Sequence, residues 1–82
     1  MSDEQVPRSL RELLADIFEI SPEQVTSELS METADNWDSF RHLQAILALE
    51  GEYGVQLDPQ RIPELTSVAL LQAELLKKGA VL

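Results

Sequence analysis

With 82 residues, fifteen acidic side chains against six basic ones and no cysteine, the chain has room for one small core and none for a deep catalytic cleft. A domain of this size buries roughly 60% of the surface its unfolded chain exposes. The net charge of −9 argues against nucleic acid and anionic membranes as partners and favours partners with basic docking surfaces. The missing cysteines exclude a disulfide framework, a thiolate nucleophile and a cysteine metal site.

The charge is unevenly spread. Residues 1–38 hold ten acids and two bases, a net of −8, whereas residues 39–82 hold five acids and four bases, a net of −1. The opening Met1-Ser2-Asp3-Glu4-Gln5 is acidic and polar, unlike a secretory signal, and no apolar run approaches membrane-spanning length. A cytoplasmic protein is expected.

The first helix is predicted from about Pro7 to Ile20. Leu10, Leu13, Leu14, Ile17 and Phe18 recur on one face, with Arg8, Arg11, Glu12 and Asp16 away from it. Pro7 suits its first turn, and Ser9 with Glu12 offers an alternative capping box. Ser21-Pro22-Glu23-Gln24 reads as a second capping box opening a single turn through Val25. The polar connection from Thr26 to Asn36 lacks helical period, with Val25, Leu29 and Met31 placed to cover the end of a core; loops of that length in small domains usually serve a function.

Asp38 is an N-cap for a second helix over Ser39 to Tyr53, ended by Gly54. Phe40, Leu43, Ile46, Leu47 and Tyr53 are assigned to its core face, and Gly51 weakens its last turn by roughly 1 kcal/mol relative to alanine. Ser39 then occupies the first helical position, where a phosphate faces free amides and the positive end of the helix dipole. Trp37, the only tryptophan, is expected to pack over this helix start, and His42, the only histidine, to lie solvated on the surface one turn beyond Ser39. Val55-Gln56-Leu57 is an extended link. Asp58-Pro59 opens a short helix that Pro63 stops after one turn, and Thr66 caps a last helix with Val68, Leu71, Leu75 and Leu76 buried and Lys77, Lys78 and Gly79 at its end.

Trp37-Asp38-Ser39-Phe40, followed by Leu43, Ile46, Leu47, Ala48-Leu49-Glu50 and Tyr53-Gly54-Val55, resembles the acyl carrier protein and peptidyl carrier protein family over nearly the whole chain, from Leu10 to Lys78. The tripeptide Asp-Ser-apolar alone is weak; its position before a helix of this length with a Tyr-Gly-Val exit is far more specific. The resemblance implies an all-α carrier bundle of three long helices and one short helix, a four-helix bundle. It implies one carrier domain over residues 1–82, with ends at about 1–6 and 80–82 loose. It also implies 4'-phosphopantetheine attached to Ser39, with Asp38 as cap and as the residue presenting the serine to a phosphopantetheinyl transferase and its metal ion. The arm's thiol would hold an acyl or aminoacyl cargo as a thioester, supplied by an activating enzyme and passed to downstream biosynthetic enzymes. Phe40, Arg41, Gln44, Glu50 and Glu52 form the implied partner surface of a monomeric, non-enzymatic carrier.

Phe40 replaces the family's common leucine, and Arg41, His42 and Gln44 stand on a helix that is strongly acidic in fatty-acid carriers, which points to a specialised pathway. Phe40, Leu43, Leu47 and Leu71 are read as ordinary close-packed core, with a shelter for apolar cargo as the alternative. An unmodified acidic interaction module is the main competing reading. A nucleic-acid mimic is weaker, and a small enzyme weakest, since no nucleophile-base pair, metal cluster or phosphate-binding glycine loop is visible.

Overall fold

In the computed structural model, which describes residues 6–82, proline sets the start of the first helix. Pro7 holds φ at −61° in the N-cap position, and α1 runs Arg8–Phe18. The Ser9–Glu12 capping box does not form: Ser9 Oγ lies 2.9 Å from the Tyr53 hydroxyl, and Glu12 pairs instead with Arg8 at 3.1 Å. The helix stops earlier than its apolar period predicts because Glu19 turns into the left-handed region (φ 58°) and Ile20 N–H returns to the Ala15 carbonyl at 3.0 Å. A non-glycine residue there is strained by about 1 kcal/mol, a conformation that sequence period does not announce.

The capping box at Ser21 and Gln24 forms as expected and opens a single 3₁₀ turn, Pro22–Gln24. Residues 26–36 are irregular but tied down. Ser30 makes an isolated antiparallel bridge with Ser67, flanked by Met31 N–H to Thr66 O at 3.0 Å and Val68 N–H to Leu29 O at 2.9 Å. The connection is thereby fixed to the start of the last helix, and no other extended pairing occurs among the described residues.

Helix α2 spans Ser39–Tyr53 and ends at Gly54, whose φ of 65° suits glycine. The turn Ile62–Glu64 is 3₁₀ and contains Pro63 rather than ending before it, because a first-turn residue needs no amide hydrogen. Helix α3, Val68–Lys77, is capped by Ser67, whose Oγ accepts from Leu70 N–H at 3.2 Å; Thr66, the expected cap, lends its carbonyl to the Met31 bridge instead. The architecture is thus all-α, with three α-helices and two single 3₁₀ turns among the described residues, and the expected short helix is the one-turn Ile62–Glu64 segment.

One core joins these elements. Leu10, Leu14 and Phe18 of α1, Ile46 and Leu49 of α2, and Val68, Leu71 and Leu75 of α3 are buried together with Val25, Leu57 and Leu65 from the connections. The Cα radius of gyration, 11.4 Å, is what a single compact domain of this length requires. Val6 and Ala80 belong to this core and Leu82 packs against it; the expectation for residues 1–5 lies outside the described residues.

Helix α2 buries a different face from the one its large apolar residues suggest. His42, Ala45, Ile46 and Leu49 are inside, whereas Phe40, Leu43 and Leu47 are 72%, 53% and 68% exposed. Both stripes have helical spacing, so period alone does not choose between them. The choice follows from His42, which is buried rather than solvated: Trp37 Nε1–H donates to His42 Nδ1 at 3.0 Å, and His42 Nε2 stands 2.7 Å from the Ile62 carbonyl. An indole nitrogen only donates, so Nδ1 accepts and the ring hydrogen sits on Nε2, facing Ile62 O. The same shift occurs on α3, where Leu76 is 55% exposed and Glu74 is buried.

Glu74 Oε1 meets Arg61 Nη2 at 3.4 Å, and the other carboxylate oxygen has no partner. We expect Arg61→Met to lower the unfolding free energy by about 2 kcal/mol by stranding the buried carboxylate, and Arg61→Met with Glu74→Met to recover most of that loss, as read by urea titration. Recovery absent from the double variant would show that the pair matters through something other than buried charge. His42→Ala, which removes core volume and strands the Trp37 donor, is expected to lower stability by about 2–3 kcal/mol. Trp37 is 2% exposed and is the sole tryptophan, so its emission should shift red over the same urea transition; an unchanged midpoint would refute the assigned role of His42.

Candidate functional site

The site is built by what ends α1. A helix leaves its last carbonyls unpaired, and here two side chains from the Ser39 region reach them: Arg41 Nη1–H donates to Ile17 O, and Asn36 Nδ2–H donates to Phe18 O at 2.8 Å. Arg41 also stands 3.6 Å from Glu19. Between these two clamps Trp37 stacks on Phe18, ring centroids 4.6 Å apart and planes 25° from parallel. Residues 36–42 are therefore held on α1 by two hydrogen-bonded side chains and one aromatic stack, and on the Ile62 turn through His42.

Within that clamp Asp38 performs the cap expected of it. Its Oδ1 accepts from Arg41 N–H at 2.9 Å, while its carbonyl accepts from His42 N–H at 2.8 Å. The amides of Ser39 and Phe40, first in the helix, keep no intrahelical acceptor. Ser39 is exposed, and its hydroxyl has no hydrogen-bond partner among the described residues. It borders a shallow hollow of about 310 Å³ shared with Met31, His42, Leu43, Ile62 and Pro63. Neighbours fix the backbone on both sides while the oxygen itself stays accessible. This arrangement suits a covalent phosphodiester: an unengaged hydroxyl, open approach, and helix-end amides that tolerate added negative charge.

The other expected site residues separate into two groups. Phe40 and Gln44 are exposed on α2 close to Ser39, and Glu52 is exposed near its far end. Arg41 and Glu50, both half-buried, are engaged with backbone groups: Arg41 at the end of α1, and Glu50 through Oε2, which accepts from Leu57 N–H at 2.8 Å. Leu43 and Leu47, assigned to the core from sequence, instead line a second, larger hollow of about 740 Å³ that mixes apolar side chains such as Ile46 and Ile62 with the charged Glu50, Asp58 and Lys78, whereas Leu71 is fully buried in the closed core. The structural roles of Asn36 and His42 are not signalled by spacing; an asparagine just before a capping segment is the one available hint.

No family model matches the chain. Among the described residues, no helix is long and apolar enough to cross a membrane. Over 68 residues, 83% of this chain and 84% of the relative, the sequence is 29% identical to the acyl carrier protein of Thermosynechococcus vestitus (strain NIES-2133 / IAM M-273 / BP-1). An all-helical fold and a distant likeness to an acyl carrier protein across most of both chains are what the comparisons and the architecture jointly provide.

Proposed function

We propose that this chain is a non-enzymatic carrier in which 4'-phosphopantetheine is attached through Ser39 Oγ. The observation that carries the reading is the unengaged, exposed hydroxyl at the first position of a capped 15-residue helix, inside a segment otherwise clamped to the core. The distant likeness to an acyl carrier protein supports it. When attached, the group supplies a thiol at the end of a flexible arm, on which an acyl or aminoacyl cargo is held as a thioester. The chain has no cysteine of its own to do this.

The protein's own residues have positional roles. Asp38 caps α2 and stands beside the serine at the surface, and Asn36, Trp37 and Arg41 fix the segment so that a phosphopantetheinyl transferase meets one backbone geometry. With coenzyme A as donor, Ser39 Oγ loses its proton and bonds to the phosphorus next to the pantetheine arm, while the pyrophosphate linkage of coenzyme A breaks and 3',5'-adenosine diphosphate leaves. Activating and downstream enzymes then act on the cargo in the cytoplasm, the carrier working as a monomer. A dedicated biosynthetic pathway fits better than general fatty-acid synthesis, because of the acids on α2 only Glu52 is both exposed and unengaged among the described residues. Low exchange with general fatty-acid synthesis enzymes is expected.

Incubation with coenzyme A and a broad-specificity phosphopantetheinyl transferase should add one phosphopantetheine to the intact mass, and Ser39→Ala should abolish the addition. If folded protein gains no mass, the unmodified interaction module replaces the carrier reading.

A further inference from the structure

Resting on the carrier reading for its consequence, we infer that the hydrogen bond between Trp37 and His42 is an acid-opened latch on the Ser39 segment: a proton taken up at His42 Nδ1 opens it and slows loading of the serine. Histidine is the side chain whose charge ordinarily changes in mildly acidic solution. His42 is 5% exposed and both its ring nitrogens are committed, Nδ1 accepting from the Trp37 indole at 3.0 Å and Nε2–H facing the Ile62 carbonyl at 2.7 Å. The residue also borders the 310 Å³ hollow it shares with Ser39, so it is buried within reach of solvent.

Protonation sets two donors against each other. Once Nδ1 holds a hydrogen, the indole N–H has no acceptor there, whereas Nε2–H keeps its hold on Ile62 O. Nothing nearby compensates a cationic ring. On α2, Asp38 is spent on the Arg41 amide, and the Arg41 guanidinium on Ile17 O and Glu19 at the end of α1. On the Ile62–Glu64 turn and α3, Glu64 and Glu74 both pair with Arg61 at 3.4 Å, and Glu32 and Asp35 in the preceding loop are exposed. None of these carboxylates pairs with the imidazole among the described residues. A buried charge without a partner is costly, so the extra proton is held by the parted arrangement and excluded by the closed one; the latch tightens as pH rises and slackens as it falls. Trp37, 2% exposed and stacked on Phe18, directly precedes Asp38 and Ser39. A stranded indole leaves that stack to find an acceptor, and the serine's backbone loses its aromatic anchor. His42 thus acts on Ser39 through Trp37, as a positioning residue.

One tryptophan and one histidine give one indole N–H resonance and one set of imidazole signals, so NMR on the unmodified parent chain reads the latch directly. Between about pH 7.5 and about pH 5.5, a window above the ordinary carboxylate range, the His42 ring signals should titrate and the indole N–H signal should move upfield along the same curve. An indole signal that stays fixed while His42 titrates overturns the latch, as does a His42 that takes up no proton across the window. For the consequence, kcat/KM of the phosphopantetheinyl transferase with coenzyme A is compared between the parent chain and two variants. His42→Asn offers Oδ1 as an acceptor that never charges, and Trp37→Phe keeps a ring on Phe18 while presenting no donor. The ratio of parent to either variant, in which the transferase's own pH response cancels, should fall about fivefold across the window, the equivalent of one neutral hydrogen bond. A constant ratio overturns the control of loading. No modification at any pH overturns the carrier reading, and the indole signal still decides the latch.

Discussion

The unpaired carbonyls at the end of α1 are the constraint on which the rest of this structure depends. A helix end inside a small domain must find donors for those oxygens, and the chain supplies them from the Ser39 segment, through Asn36 to Phe18 O and Arg41 to Ile17 O. Satisfying α1 therefore fixes the start of α2. The stack of Trp37 on Phe18 adds apolar burial to the same junction, so the serine's backbone is positioned by interactions that belong to the fold rather than to any ligand. Fixing the backbone at the candidate residue needs no separate device.

His42 extends that constraint across the molecule. Its ring receives a hydrogen bond from Trp37 on one side and faces the Ile62 carbonyl on the other, tying the junction to the connection between α2 and α3. That connection is tied again to α3 by Arg61 with Glu74 and by Asp58 with Lys78 at 3.2 Å. The polar links are arranged in series around an apolar core. Rotating α2 about its axis to bury Phe40, Leu43 and Leu47 would take His42 away from both partners and leave an indole donor and a carbonyl unsatisfied, which is why the helix turns its bulkier stripe outward.

Much of this was legible in the chain itself. The limits of α2, the Asp38 cap, the Gly54 stop, the Ser21 capping box and the Val68, Leu71, Leu75 stripe all follow from local chemistry, because caps and terminators act within a few residues of where they stand. The choice of buried face on α2 was not legible, since two apolar stripes share one helix and the side chain that selects between them is a histidine whose partners lie five and twenty residues away. Burial of Glu74 was hidden for the same reason, its partner Arg61 lying thirteen residues back. Around the candidate site, the helix start at Ser39 and its Asp38 cap could be read from sequence, whereas the clamp around them rests on contacts with α1 18 to 24 residues away.

The surface of α2 then follows as a consequence of the interior. A helix rotated to satisfy His42 exposes apolar residues, and a helix that spends Arg41 and Glu50 on backbone groups has little charge left to display. A strongly acidic chain thus acquires a nearly neutral face beside Ser39. In the proposed carrier, the −9 charge would draw basic partners from a distance, while contact beside the serine would be made on a face that displays little charge.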